Sequence, residues 1–355
     1  MKKINFNAGP CILPEEVFKK ASQSIIEYEK SGLSILEISH RSKEFTAIME
    51  KTKFFIKRLL QLTNEHEILF LQGGASLQFH MIPANFLSKN GKACYLDTGT
   101  WSSKAITESK KIGETIILAT SDKNNYKSIP KKYIIPNNID YFHCTSNNTI
   151  YGTQIKNFPK VSTKLFCDMS SDIFSRKINT SNFDLIYAGA QKNIGPAGMT
   201  LVILKKSILE NKNKNLGTML DYNTHIQKES MFNTPPVFSI YVSMLNLKLL
   251  YENGGISWIE NINNQKADLL YEEIDRNSIF SGIAEKEDRS NMNITFSIAN
   301  DQLGEKFDNL CLKNNIQGIK GHRSVGGYRA SLYNAMSVEN VRILTSIMQE
   351  IEKNG

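Results

Sequence analysis

Apolar residues recur along this chain in two rhythms. Over residues 14–30 and 45–62 they return every three or four positions, the spacing of a helix with one buried face. Pro14-Glu15-Glu16 suits a first helical turn, where proline's missing N–H costs nothing and carboxylates meet the positive end of the helix dipole. Elsewhere the apolar runs are short. Residues 67–72, 93–96, 115–118, 141–144, 164–167, 185–188 and 199–204 read as buried strands, too brief for helices and rich in β-branched and aromatic side chains. Gly73-Gly74 ends the first of these, and 76–84 reads as a helix. After Asn253-Gly-Gly255 the pattern changes. It predicts a long helix over 258–274, a strand over 294–298, and helices over 303–314 and 338–353. Strands alternating with helices imply an α/β fold, a mostly parallel mixed sheet covered by helices on both faces. The tail implies a smaller α+β domain. We expect a large domain, 16–258, and a small one built from 1–15 and 259–355.

Composition narrows the class. At 355 residues and 41% hydrophobic, the chain can bury more than one core. Lysine plus arginine number 43 against 35 acidic residues, a formal charge of +8. The lysines are scattered, with no basic stripe interleaved with aromatics, so no nucleic-acid partner is expected. Five cysteines lie far apart without a C-x-x-C pair, which fits a reducing compartment and no zinc knuckle. The six histidines lack ligand-like spacing, and no metal is expected. Polar Asn5-Phe-Asn-Ala-Gly-Pro10 follows Met1-Lys-Lys where a signal peptide would need an apolar core. No apolar run approaches the roughly 20 residues of a membrane helix. A cytoplasmic protein without a membrane partner is expected.

The chemistry gathers at strand ends. Lys192 lies between two apolar strands, in Ala-Gly-Ala-Gln-Lys192-Asn-Ile-Gly-Pro-Ala-Gly198. Most loop lysines are solvated, but apolar flanks and a rigid Gly-Pro-Ala-Gly tail hold this one inside the fold. An amine in a partly dry pocket loses proton affinity and becomes a usable nucleophile. Gln72-Gly-Gly-Ala-Ser76 joins a strand to a helix, so the amides of Ala75 and Ser76 are free to receive a phosphate. Asp168 follows a buried strand, where it can cap a helix or pair with a protonated ring nitrogen. Trp101 closes Asp97-Thr-Gly-Thr-Trp101 and can pack in the core or stack on a planar ligand. Thr149 stands in a polar strand-end loop, free to turn the chain or to bond a ligand oxygen. His40-Arg41, His322-Arg323 and Arg329 offer planar forks for carboxylate or phosphate. P-loop, G-x-S-x-G and H-E-x-x-H motifs are absent.

These motifs, with Asn5-Phe-Asn-Ala-Gly-Pro10, Asn147-Asn-Thr-Ile-Tyr-Gly152, Phe232-Asn-Thr-Pro-Pro236 and Asn334-Ala-Met336, occur in one order that resembles the phosphoserine aminotransferase family almost end to end. The resemblance implies the fold-type I architecture of pyridoxal-phosphate enzymes and a homodimer with shared active sites. Its reaction would be amino-group exchange between L-glutamate and 3-phosphohydroxypyruvate, with 4-phosphohydroxythreonine a further candidate substrate. Lys192 would be the Schiff-base lysine, Asp168 the partner of the pyridine nitrogen, and Trp101 the stacking ring. Thr149 would touch the ring oxygen. Ala75, Ser76 and Gln191 would hold the cofactor phosphate, with Asn233 and Thr234 supplied by the other chain. Arg41, His40, His322 and Arg323 would receive the distal anion, and Arg329 the α-carboxylate. Serine–glyoxylate aminotransferases and cysteine desulfurases share the fold and are the nearest alternatives. A desulfurase would place histidine where Gln191 stands and would need a mobile cysteine. A non-catalytic pyridoxal-phosphate-binding regulator is a more distant one.

Overall fold

A computed structural model describes residues 3–210 and 212–354. Seven strands form the main sheet, in the order His66–Leu71, Thr200–Lys205, Leu185–Gly189, Leu165–Asp168, Tyr141–Thr145, Lys92–Asp97 and Glu114–Thr120. Thr200–Lys205 runs antiparallel to both its neighbours, and every other pairing is parallel. On the six strands other than Glu114–Thr120, alternate side chains enter different cores. Phe70, Cys94, Phe142, Cys167 and Ile186 pack with the helices Glu15–Ile26, Lys43–Leu60 and Val237–Glu252. Leu69, Tyr95, Phe166, Tyr187 and Val202 pack with Gly74–Phe86 and Thr100–Lys110. Both faces are therefore covered, as a near-continuous apolar strand requires.

The expected elements are all present, with shifted ends. The first helix stops at Ile26, short of 30, because Glu29 and Lys30 take left-handed conformations and Tyr28 N–H turns back to Leu33 O. The second begins at Lys43, two residues early, where the Ser42 hydroxyl accepts the Phe45 N–H. Two helices carry no sequence signal of the expected kind. Val237–Glu252 is apolar on nearly every side, so it has no polar face to betray its period. Thr100–Lys110 starts directly after Gly99, which places Trp101 in a first helical turn, just beyond the strand.

A third core lies in the C-terminal region. The helix Gly255–Arg276, which begins three residues before the expected 258, packs with Asp301–Lys313 and Val338–Asn354 around an antiparallel sheet of Phe280–Gly282, Asn293–Ile298 and Tyr328–Ser331. The N-terminal strand Ile4–Asn5 joins this region, parallel to Ile316–Gln317, and buries Phe6 in the same core. Residues 7–12 then cross back to the main sheet. No described helix is long and apolar enough to cross a membrane.

Candidate active site

The carboxyl ends of the central strands converge on Lys192, as open α/β sheets direct their ligands. Lys192 follows Leu185–Gly189 on a turn in which the Ala190 carbonyl accepts three amides, those of Lys192, Ile194 and Gly195. Asn246 Nδ2 fixes the turn from behind through the carbonyls of Asn193 (3.0 Å) and Ile194 (2.9 Å). Gly195 packs against Ser243 with no room for a side chain. The N-terminal segment straps the other side. Cys11 N–H donates to Gln191 O at 3.1 Å, and the Cys11 thiol donates to the Lys192 carbonyl.

Part of the Lys192 side chain remains exposed, but its amine sits deep and donates to Thr149 Oγ1 at 2.9 Å. Burial pulls its pKa from 10.5 down to about 8; Asp168 opposes this and Arg329 adds to it. Thr149 itself is held by its loop between Asn147–Asn148 and Thr153–Gln154. Its carbonyl accepts Arg329 Nη1 at 3.3 Å, which brings the C-terminal region to the lysine.

Asp168 is 4% exposed at the end of Leu165–Asp168. Its Oδ1 takes both Ser170 donors, the amide at 2.9 Å and the hydroxyl at 2.6 Å. Ser170 Oγ in turn accepts the Gly189 N–H at 3.1 Å, locking this carboxylate to the strand that leads to Lys192. No described residue donates to Oδ2. Burial raises the Asp168 pKa, while the Ser170 bonds and Lys192 oppose that rise. An acceptor of this kind suits a cationic donor.

Trp101 has two amines near its ring. Lys192 Nζ is 5.9 Å and Lys104 Nζ 4.8 Å from its ring centroid, and its indole N–H is buried without a partner. The Gly73–Gly74 turn opens the helix Gly74–Phe86, both glycines at positive φ. A Cβ at Gly73 would stand 2.6 Å from Leu77. Leu77 is the first residue bonded into the helix, to Gly73 O at 3.2 Å, so the amides of Gly74, Ala75 and Ser76 face outward as an anion site.

The structure thus brings Lys192, Thr149, Asp168, Trp101, Gln191 and Arg329 together, while Ala75 and Ser76 stand in the first turn of the helix Gly74–Phe86. His322 and Arg323 stand on an exposed loop, with His322 Nδ1 2.7 Å from Ser324 Oγ. The His322 pKa is lowered by burial, then by nearby Arg329, Arg323 and Lys104. Arg41, His40, Asn233 and Thr234 are not gathered in the same way. His40 and Thr234 line one open groove with Leu36, Ile38 and Pro235. The Thr234 carbonyl accepts Gln72 Nε2 at 3.0 Å, but among the described residues no side-chain bond joins these four to the Lys192 group. Two contributors were missed in the sequence. Ser170 follows Asp168 by two residues, the spacing of a local carboxylate turn. Lys104 follows Trp101 by one helical turn, which brings the two side chains together.

A buried amine on a strand-end turn, a carboxylate opposite it and a helix-end anion site define a lysine-dependent group-transfer enzyme. Residues 4–344 match the family model for Aminotransferase class-V. The phosphoserine aminotransferase of Flavobacterium psychrophilum is 58% identical over 353 residues, covering 99% of each chain. The solved phosphoserine aminotransferase of Bacillus circulans subsp. alkalophilus superposes with a TM-score of 0.97 at 42% identity, over 99% of both chains. A pyridoxal-phosphate-bound phosphoserine aminotransferase from Trichomonas vaginalis gives 0.93 at 36% identity, over 98% of this chain and 100% of that one. The chain belongs to the class-V aminotransferases and, within them, to the phosphoserine aminotransferase family.

Proposed function

We propose that this aminotransferase moves the amino group of L-glutamate to 3-phosphohydroxypyruvate, yielding O-phospho-L-serine and 2-oxoglutarate, with pyridoxal 5′-phosphate held at Lys192. The observation that carries this reading is a Lys192 amine whose pKa burial lowers to about 8, bonded to Thr149, in one site with an Asp168 whose Oδ2 has no donor among the described residues. When bound, the cofactor supplies an aldehyde for the amino group and an electron-withdrawing ring that stabilises charge on the deprotonated carbon.

The protein's residues supply the rest. Lys192 Nζ anchors the cofactor and moves the proton to and from the substrate carbon. Asp168 Oδ2 keeps the ring nitrogen protonated. Trp101 covers the ring, and Thr149 Oγ1 bonds the ring oxygen. The amides of Ala75 and Ser76, with Gln191, hold the cofactor phosphate. Arg329 receives the α-carboxylate. Arg41, His40, His322 and Arg323 receive the distal phosphate or carboxylate, which sets the substrate class.

We also propose a homodimer that shares its sites, the partner subunit's Asn233 and the partner subunit's Thr234 completing the phosphate cradle. Leu33, Leu36 and Phe232, between 43% and 62% exposed, flank His40-Arg41 and Asn233 in the sequence and give that surface an apolar character. The division into 16–258 and 1–15 with 259–355 remains our reading of the domains, supported by the separate C-terminal core. A reducing, cytoplasmic setting is supported by five free cysteines, two of which, Cys144 and Cys167, have sulfurs 3.7 Å apart. The desulfurase alternative loses support because Cys311 is buried and its thiol is pushed up to about 12.

The test is spectroscopic. Glutamate added to the purified holoenzyme should bleach the cofactor's long-wavelength band, and 3-phosphohydroxypyruvate should restore it with one equivalent of phosphoserine formed. No response to either substrate would sink the proposal.

A further inference from the structure

Lys266 lies on the helix Gly255–Arg276 and is 0% exposed. Its Nζ donates to two successive carbonyls, Leu332 O and Tyr333 O, each at 2.9 Å. No carboxylate pairs with it among the described residues. Burial alone pulls its pKa from 10.5 to about 7. An amine buried without a counter-charge destabilises a fold, and an apolar side chain of similar volume would fill the space at less cost. Packing therefore does not account for a lysine here.

The two carbonyls belong to a junction. One turn earlier on the same face, Asn263 Nδ2 donates to Asn334 Oδ1 and to Ser175 O, both at 2.9 Å. Segment 332–334 is thus gripped at three successive residues from one helix. The same segment reaches the catalytic turn. Asn334 N–H donates to Asn193 Oδ1 at 3.0 Å, one residue beyond Lys192. Tyr333 Oη donates to Ala8 O at 2.8 Å, on the strap that crosses the Lys192 turn. Three residues before Leu332, Arg329 leaves its strand for the Thr149 carbonyl.

We propose that Lys266 is a positioning residue for the amino-transfer reaction, gripping Leu332 and Tyr333 so that Arg329 stands at a fixed distance from Lys192. It acts through backbone and touches neither substrate nor cofactor. The inference rests on the reading of Arg329 as the carboxylate receptor. Arg329 keeps an unbonded, buried Nε and makes one long bond at 3.3 Å, so its own contacts fix it weakly and its aim depends on the strand and turn that carry it.

The test uses holoenzyme carrying Lys266→Met, Arg329→Ala, or both. Methionine keeps the apolar stem and removes the donors. Lys266→Met should raise KM for glutamate and for phosphoserine by about tenfold while kcat stays within about threefold and the cofactor's absorbance is unchanged. In the Arg329→Ala background it should add almost nothing, because the residue it aims is gone. Lys266→Gln, with two amide donors on a shorter stem, should recover part of the KM and serves the same comparison if Lys266→Met does not fold. Unchanged kinetics in a folded Lys266→Met enzyme overturns the proposal. So does a loss that adds in full to that of Arg329→Ala, or one that follows only the folded fraction. Failure of the Arg329 reading appears separately, as an unchanged KM in Arg329→Ala alone, and it takes the proposal with it.

Discussion

The Lys192 amine should cost the cofactor-free protein stability, and replacing it should show how much. Burial moves its pKa from 10.5 to about 8. Each tenfold change in proton affinity is worth about 1.4 kcal/mol, so holding the proton in the folded state costs about 3 kcal/mol. The side chain keeps some exposed surface, and water recovers part of that; about 2 kcal/mol is the working figure. Below pH 8 both folded and unfolded chains bind the proton, and the full cost applies. Between pH 8 and 10.5 the unfolded chain still holds it and the folded chain does not, so stability rises with pH. Above 10.5 neither binds it and the cost is gone. Lys192→Met keeps the stem and removes the charge, at the loss of a Thr149 hydrogen bond worth about 1 kcal/mol. Urea unfolding of cofactor-free wild type and variant, at one protein concentration, should find the variant at least as stable at pH 7. That advantage should shrink or reverse by about 2 kcal/mol at pH 10. A stability difference that does not move with pH would refute the reasoning, because it would mean the amine is solvated and its reactivity has another source.

Two further substitutions test the proposed roles. Asp168→Asn keeps an acceptor for both Ser170 donors and removes the charge, so kcat should fall by about 100-fold or more with thermal stability nearly unchanged; a lost fold with normal activity per folded molecule would make Asp168 a cap only. Arg323→Ala and Arg41→Ala should each lower kcat/KM for phosphoserine and glutamate by about 10–100-fold while sparing alanine, which has no distal anion. Steady-state kinetics showing an equal loss on all three substrates would move both arginines from specificity to structure.

Much of this molecule is legible in the order of its residues because its chemistry sits where local rules are strict. A strand that turns directly into a helix leaves the first helical amides unbonded, so a candidate anion site can be read from the five residues Gln72 to Ser76. The lysine turn is legible for the same reason: apolar strands on both sides leave a charged residue between them only one enclosed place to stand. What stayed hidden depends on packing. The helix Val237–Glu252 shows no period because apolar residues occupy nearly every side of it. Lys266 and Asn263 sit in Asn261-Ile-Asn-Asn-Gln-Lys266, which reads as the wet face of an amphipathic helix. Their burial becomes visible only once the 332–334 turn is seen to occupy that face.

The two His-Arg pairs illustrate a different limit. In the sequence they look alike, yet the fold treats them differently. His322 and Arg323 come near Arg329 from one loop, whereas His40 lines the groove at Thr234, and among the described residues no side-chain bond joins His40 or Arg41 to the lysine group. On the proposed reading, one chain assembles everything that acts at the reacting carbon: amine, ring-nitrogen partner and α-carboxylate receptor. On the same reading the receptor for the far end of the substrate combines His322 and Arg323 with His40 and Arg41, which adjoin the surface proposed to meet a second chain. That reading divides chemistry and substrate choice between the interior of one chain and the proposed contact between two. A substitution that loosens that contact should blur the preference for a distal anion before it slows transfer from substrates that have none.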